Sequence, residues 1–204
     1  VDALATVEDL EARLGRDLTT EEAVRASAML ADMSAMIRSY TGQDFTVTDD
    51  DQVTLRGVGG EIRLPQRPVT EVSTVVAIGG DGLPDVPLVD WVWDGIDTIR
   101  VGDGSFVINL PEVWWDDDGY PGTYRVTYSH GYEETPGDVL AVICGAILRV
   151  FINPNGYRSE TVGSYSVTYA SPGAGETVGT SLTRADRLVL DRYRRKAGTI
   201  KVRR

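Results

Sequence analysis

The chain has 204 residues, 42% of them hydrophobic, with 22 Gly, 9 Pro, one Cys and one His. That is enough apolar material for one elaborated domain or two small ones, while the lone His130 excludes a multi-histidine zinc site or facial triad within one chain. The formal charge is −11, yet residues 184–204 carry nine basic residues against Asp186 and Asp191, a local +7 that leaves −18 on the rest; an acidic body with a basic terminus argues against a simple DNA-binding domain.

Val1 to Arg16 is charged and has no apolar stretch of the kind a secretory signal requires. Thr6-Val7-Glu8-Asp9 has capping-box spacing and predicts a short helix with Leu10 and Leu14, ended by Gly15. Thr19-Thr20-Glu21-Glu22 opens a longer one, with Val24, Ala28, Ala31 and Ala35 on one flank and Leu30, Met33 and Ile37 beside them. Its methionines read as core filling, and Gly42 as its left-handed cap. From Phe45 the apolar period changes from helical to alternating. Val53–Leu55 and Glu61–Leu64 flank Gly57, Gly59 and Gly60, the pattern of a hairpin. Val69–Ile78, Trp91–Trp93, Thr98–Val101, Phe106–Leu110 and Tyr124–Tyr128 read as further strands.

Thr135 to Ile152 organises the chain. Thr135 suits a helix cap, Pro136 the first turn, and Asp138 the positive end of the helix dipole. Beyond them every face is apolar or small, with Arg149 the only charge. Such a helix, about 25 Å long, must be enclosed, and Val139, Leu140, Ile143, Cys144, Ile147, Leu148 and Phe151 are its structural core. Asn153-Pro154-Asn155-Gly156 stops it. The following strand, within 163–170, repeats the earlier one: YRVTY and YSVTY invite pairing in one sheet. Thr183-Arg184-Ala185-Asp186 caps a last helix, with Leu188, Leu190 and Tyr193 turned partly inward and Gly198 at its end.

Residues with chemistry are few. Cys144 lies on the apolar helix and reads as a small buried hydrophobe. No Gly-x-Ser-x-Gly elbow is present, and Gly57-Val58-Gly59-Gly60 lacks the Lys-Ser or Lys-Thr of a phosphate loop. Asp49–Asp51 and Asp116–Asp118 lack the alternating ligands of an EF-hand and read as solvated turns. Trp91, Trp93, Trp114 and Trp115 suggest a stacking platform for a glycan or single-stranded nucleic acid. The surrounding carboxylates disfavour nucleic acid, so a core or subunit-interface role is the better reading and a monomeric glycan- or ligand-binding β module the alternative. The sequence thus predicts a protein that is not an enzyme and needs no cofactor or metal.

Four stretches are shared in order with a known group: SYTGQDF at 39–45, LPQRPVTEV at 64–72, VTYSHGYEETPGDV at 126–139 and NPNGYRSETVGSYSVTY at 153–169, followed by LDRYRR at 190–195. With them the chain resembles the head–tail connector (adaptor, or head-completion) proteins of long-tailed bacteriophages, over nearly its whole length. The resemblance implies an α+β fold: a small helical bundle around the buried central helix, residues 1–44 plus 133–197, a large β-rich insertion, 45–132, and an extended C-terminal arm, 198–204. It also implies a ring of twelve copies in the virion neck, assembled in the host cytoplasm. Its partners would be the portal protein, a stopper or tail-completion protein, and double-stranded DNA passing through without sequence-specific binding, with no membrane. In the arm Ile200 and Val202 alternate with Lys201 and Arg203, a strand pattern too short to bury itself but suited to a partner's sheet edge. Arg192, Arg194, Arg195 and Lys196 would steer that docking, and Arg204 completes the expected portal interface.

Overall fold

The computed structural model describes residues 2–79, 84–102, 122–152, 159–162, 165–168 and 181–194. The protein is α+β. It forms two compact units, Val1–Gly42 with Glu134–Arg204, and Gln43–Glu133.

In the first unit, α1 (Val7–Leu14) and α2 (Thr20–Thr41) start on complete capping boxes from Thr6 and Thr19, and end on Gly15 and Gly42 in the left-handed conformation. Arg16 adds a two-pronged bond to Glu22 at 2.7 and 2.9 Å. That contact, helped by the Thr19 N–H, holds the Glu22 carboxyl at about 2. Leu10, Ala26, Leu30, Met33 and Ile37 supply the buried sides of these helices. Ser34, also buried, accepts the Leu4 N–H and donates to the Leu30 carbonyl, so its hydroxyl is satisfied on both counts.

The central helix is α3 (Gly137–Ile152). The Pro136 carbonyl accepts the Leu140 N–H, and the Asp138 carboxylate accepts the Val139 N–H, so the helix begins at Gly137, one residue later than a Thr135 cap would place it. Val139, Ile143, Cys144, Ala146 and Ile147 are fully buried. The expectation that no side faces water needs correction: Leu140, Leu148 and Phe151 are only half-buried and Ala141 is exposed. Among the described residues α1, α2 and the last helix pack against this one and leave part of its circumference uncovered. The strands β8 (Ser159–Val162) and β9 (Tyr165–Thr168) form a two-stranded ribbon of their own. Helix α4 (Arg184–Leu190) starts on a third capping box, from Thr183 and Asp186.

The second unit holds two antiparallel sheets. β1 (Thr48–Arg56), β3 (Val69–Ala77), β4 (Val86–Pro87) and β7 (Thr123–His130) are ordered β1-β7-β3-β4. β2 (Glu61–Arg63), β5 (Trp91–Trp93) and β6 (Thr98–Val101) are ordered β2-β6-β5. Tyr124, Val126 and Tyr128 of β7 share one face, are completely buried, and join Ile62, Leu64 and Ile99 in the core. The outer face is wet: Thr74 donates to Thr127 at 3.0 Å, and Arg125 reaches Asp85 at 2.9 Å.

Two pairings differ from the sequence reading. The reversal expected between β1 and β2 is present only as an isolated bridge, Val58 with Glu61, beyond the end of β1; the strands themselves pair with β7 and β6. Val58 and Glu61 exchange both backbone hydrogen bonds, at 3.0 and 3.1 Å, around Gly59 and Gly60, which take positive φ, so the chain does fold back there as a tight hairpin turn. Gly57 lies against the Tyr124 ring with no room for a Cβ. YRVTY and YSVTY do not pair either. The first is central in the four-stranded sheet and the second belongs to the ribbon. The strand proposed for Phe106–Leu110 lies outside the described residues.

Candidate functional site

Three of the four shared stretches converge in the second unit. The side chain of Gln43, 3% exposed, lies across the segment 65–67. Its Nε2 donates to the Pro65 carbonyl at 3.0 Å and its Oε1 accepts the Arg67 N–H at 2.8 Å. Gln66 answers by accepting the Asp44 N–H at 2.9 Å. The Gly131 N–H then donates to the Pro68 carbonyl at 3.0 Å, and the Tyr132 N–H to the Phe45 carbonyl at 3.2 Å. Phe45 and Tyr132 stack with ring centres 6.1 Å apart. Phe45 takes φ 69°, a conformation that costs a non-glycine residue about 1–3 kcal/mol and persists only where its surroundings hold it. Gly131, at φ 108°, passes so close to the Thr46 carbonyl that any Cβ would overlap it. The knot fixes the two places where the chain enters and leaves the β unit. Gln43 stands in the stretch SYTGQDF that carries the resemblance, just after the Gly42 cap, but its residue type gives no sign of the clamp it forms.

The basic C-terminal stretch is anchored within the first unit by two similar groups. Tyr193 donates to Asp138 at 2.6 Å, and Arg192 lies 2.7 Å from the Tyr193 hydroxyl and 2.8 Å from the second Asp138 oxygen. Burial and the bond to Asp138 push the Tyr193 hydroxyl up to about 12. Tyr40 on α2 donates to Asp191 at 2.7 Å, while Arg194 lies 3.5 Å from that carboxylate and 4.9 Å above the Tyr40 ring. The same bond to Asp191 raises the Tyr40 hydroxyl's pKa. Beneath α4, Arg149 reaches Asp186 at 2.7 Å. Arg192 and Arg194 each find a carboxylate and an aromatic ring of their own chain within reach, and both side chains remain more than half exposed. Arg195, Lys196, Ile200, Lys201, Val202, Arg203 and Arg204 lie outside the described residues. Leu190 and Tyr193 do face inward, but Leu188 is 66% exposed, a correction to the helix face: the buried side of α4 runs through Asp186 and Leu190.

Trp91 and Trp93 pack half-buried against the β core, and their strand turns Val92 outward. Trp91 and Val92 line an open groove of about 340 Å³ with Asp90, Asp94 and Arg100, and Trp93 does not reach it. Asp94 is occupied: although desolvation opposes ionisation, N–H donors from Thr98, Ile96 and Asp97 surround its carboxylate and hold its pKa below the usual range. Trp114, Trp115 and Asp116–Asp118 lie outside the described residues. Asp49–Asp51 lie on the edge strand β1 at a bulge, with Asp50 at φ 50°, where a turn had been read. Asp51 approaches the buried His130 at 3.3 Å. Burial raises the Cys144 thiol's pKa, which keeps it protonated and inert. Among the described residues no cluster of three or more His, Cys, Asp or Glu is placed to hold a metal.

No protein-family model matches the chain, and no curated protein sequence matches it. Among solved structures it is similar to a chain of one described as "Neck of empty GTA particle computed with C6 symmetry". The match has 16% identity over 97% of this chain and 95% of that one, with a TM-score of 0.48.

Proposed function

We propose that this chain is a structural virion protein of the head–tail neck of a phage-like particle. It forms a ring of twelve between the portal and the tail or stopper protein, extends the DNA channel, and completes the head for tail attachment. It has no catalytic role and uses no cofactor. The observation that carries this reading is the ordered set of four stretches shared with connector proteins along nearly the whole chain. Three of them are tied in the knot around Gln43, so they mark an architectural fixed point instead of a reaction centre. The charge fits the role: phosphate contacts dominate nonspecific DNA affinity, and a body of net −18 lets DNA pass without sticking. Among the described residues no helix is long and apolar enough to cross a membrane. The half-buried packing of Trp91 and Trp93 supports a core role over a glycan platform.

Residues 198–204 act as the portal-binding arm, and the two Tyr–Asp–Arg anchors give that arm a firm root at Arg194. Electron microscopy of the particle neck tests the whole assignment: this chain should form the ring below the portal, and its absence there overturns the reading. Deleting 198–204 tests the arm. Portal attachment should be lost while unfolding of the free protein is unchanged, and undiminished attachment rules the arm out.

A further inference from the structure

The exposed side of α4 has the wrong chemistry for solvent. Leu188 is 66% and Val189 39% exposed, with Ala185 beside them, and Arg184 and Arg187 along the flank. The helix is nevertheless firmly placed, since Asp186 and Leu190 hold its other side down. An apolar stripe with a cationic flank, on a helix rigidly presented, is a docking face lacking its partner.

A complementary face exists on the same chain. The outer side of α2 carries Val24, 69% exposed, then Ala28, Ala31 and Ala35, spaced so that they fall on one line along the helix. Small side chains there let another helix approach closely, and the exposed carboxylates of Glu21 and Asp32 border the line on one side. Cationic flank meets anionic border, and Leu188 and Val189 meet a row of small residues.

We infer that α4 of one copy docks on α2 of the next, so that the ring proposed above is built from a heterologous, head-to-tail helix contact. Because the two faces differ, each copy keeps one of each available, and the contact propagates around a ring instead of stopping at a two-fold dimer. Charge complementarity selects the orientation.

Cross-linking of two single-cysteine variants of the full chain, Leu188→Cys and Ala31→Cys, tests this. Cys144 is completely buried and its thiol stays protonated, so the native cysteine gives little background. Oxidation traps even a brief contact. The mixture should give a covalent dimer several-fold more abundant than either variant alone, and more abundant than Leu188→Cys mixed with Val58→Cys, an exposed position on the β unit. Arg187→Glu introduced into the Leu188→Cys chain should lower the yield, and Asp32→Arg in the Ala31→Cys chain should restore it. Strong cross-linking of Leu188→Cys with itself, or a mixture no better than the Val58 control, overturns the inference. If the cross-link fails while microscopy still finds the chain in a neck ring, the faces are wrong and the neck reading stands. If the cross-link forms and no neck ring contains the chain, the contact stands and the neck reading falls.

Discussion

Replacing Gln43 with Ala removes the side chain that holds segment 65–67 to the start of the β unit. Two part-buried backbone groups, the Pro65 carbonyl and the Arg67 N–H, lose the partners they have at 3.0 and 2.8 Å. Each costs about 1–3 kcal/mol when left unsatisfied. The freed side-chain entropy that the native glutamine gives up returns about 1–2 kcal/mol. From the middle of each range the expected net loss is about 2.5 kcal/mol. All four tryptophans, at 91, 93, 114 and 115, fall within Gln43–Glu133, so urea unfolding followed by tryptophan fluorescence reads this unit specifically. Gln43→Glu adds a second diagnostic. Its carboxylate still accepts the Arg67 N–H but turns a lone pair on the Pro65 carbonyl, and the protonated acid donates there as the amide did. Burial and that repulsion raise the new group's pKa, so the deficit should grow as pH rises through the ordinary glutamate range and shrink below it. A Gln43→Ala protein within about 0.5 kcal/mol of wild type, or a Gln43→Glu deficit independent of pH, would refute the reasoning.

Tyr193→Phe should cost about 1–2 kcal/mol by removing the bond to Asp138. Because the folded hydroxyl sits at about 12, its contribution is fully present below the ordinary tyrosine value of about 10 and lost as pH rises from there. Wild type and variant should thus converge in thermal unfolding above that range, and a constant difference would show the bond is not the cause. Gly131→Ala places a Cβ against the Thr46 carbonyl at φ 108° and should destabilise the β unit by at least about 3 kcal/mol; an unchanged fluorescence transition argues against the knot. Ile143→Asp puts an unpaired charge at a fully buried position of α3 and should abolish helical signal in circular dichroism. Cys144→Ala, at the neighbouring buried site, should cost only about 1 kcal/mol. Near-native melting of the first variant would mean that α3 is not the core of its unit.

Much of the local structure follows from short-range chemistry that a linear reading captures. Thr6, Thr19 and Thr183 each cap a helix because hydroxyl and carboxylate three residues apart satisfy orphan N–H groups within one turn. Gly15 and Gly42 end helices because the left-handed conformation costs glycine nothing. The change of apolar period after Gly42 marks where strands begin, and with it the α+β class. What the linear reading missed is mostly non-local, the start of α3 and the bulge at Asp49–Asp51 being the local exceptions. Alternation says that β1, β2, β7 and β9 are strands, but an alternating pattern carries no address for its partner: the glycines at 57–60 do mark a reversal, yet β1 and β2 go on to different sheets, and YRVTY and YSVTY do not pair. Leu188 looked inward because apolarity is read as burial; only the tertiary structure shows that Arg149 and α3 hold the opposite side of α4. Gln43, Asp138 and Tyr40 are ordinary polar residues until residues 22, 55 and 151 positions away arrive beside them. Those partners are chosen by the energy of closing the whole fold, in which burying a polar group is tolerated only where a distant segment supplies its hydrogen bond.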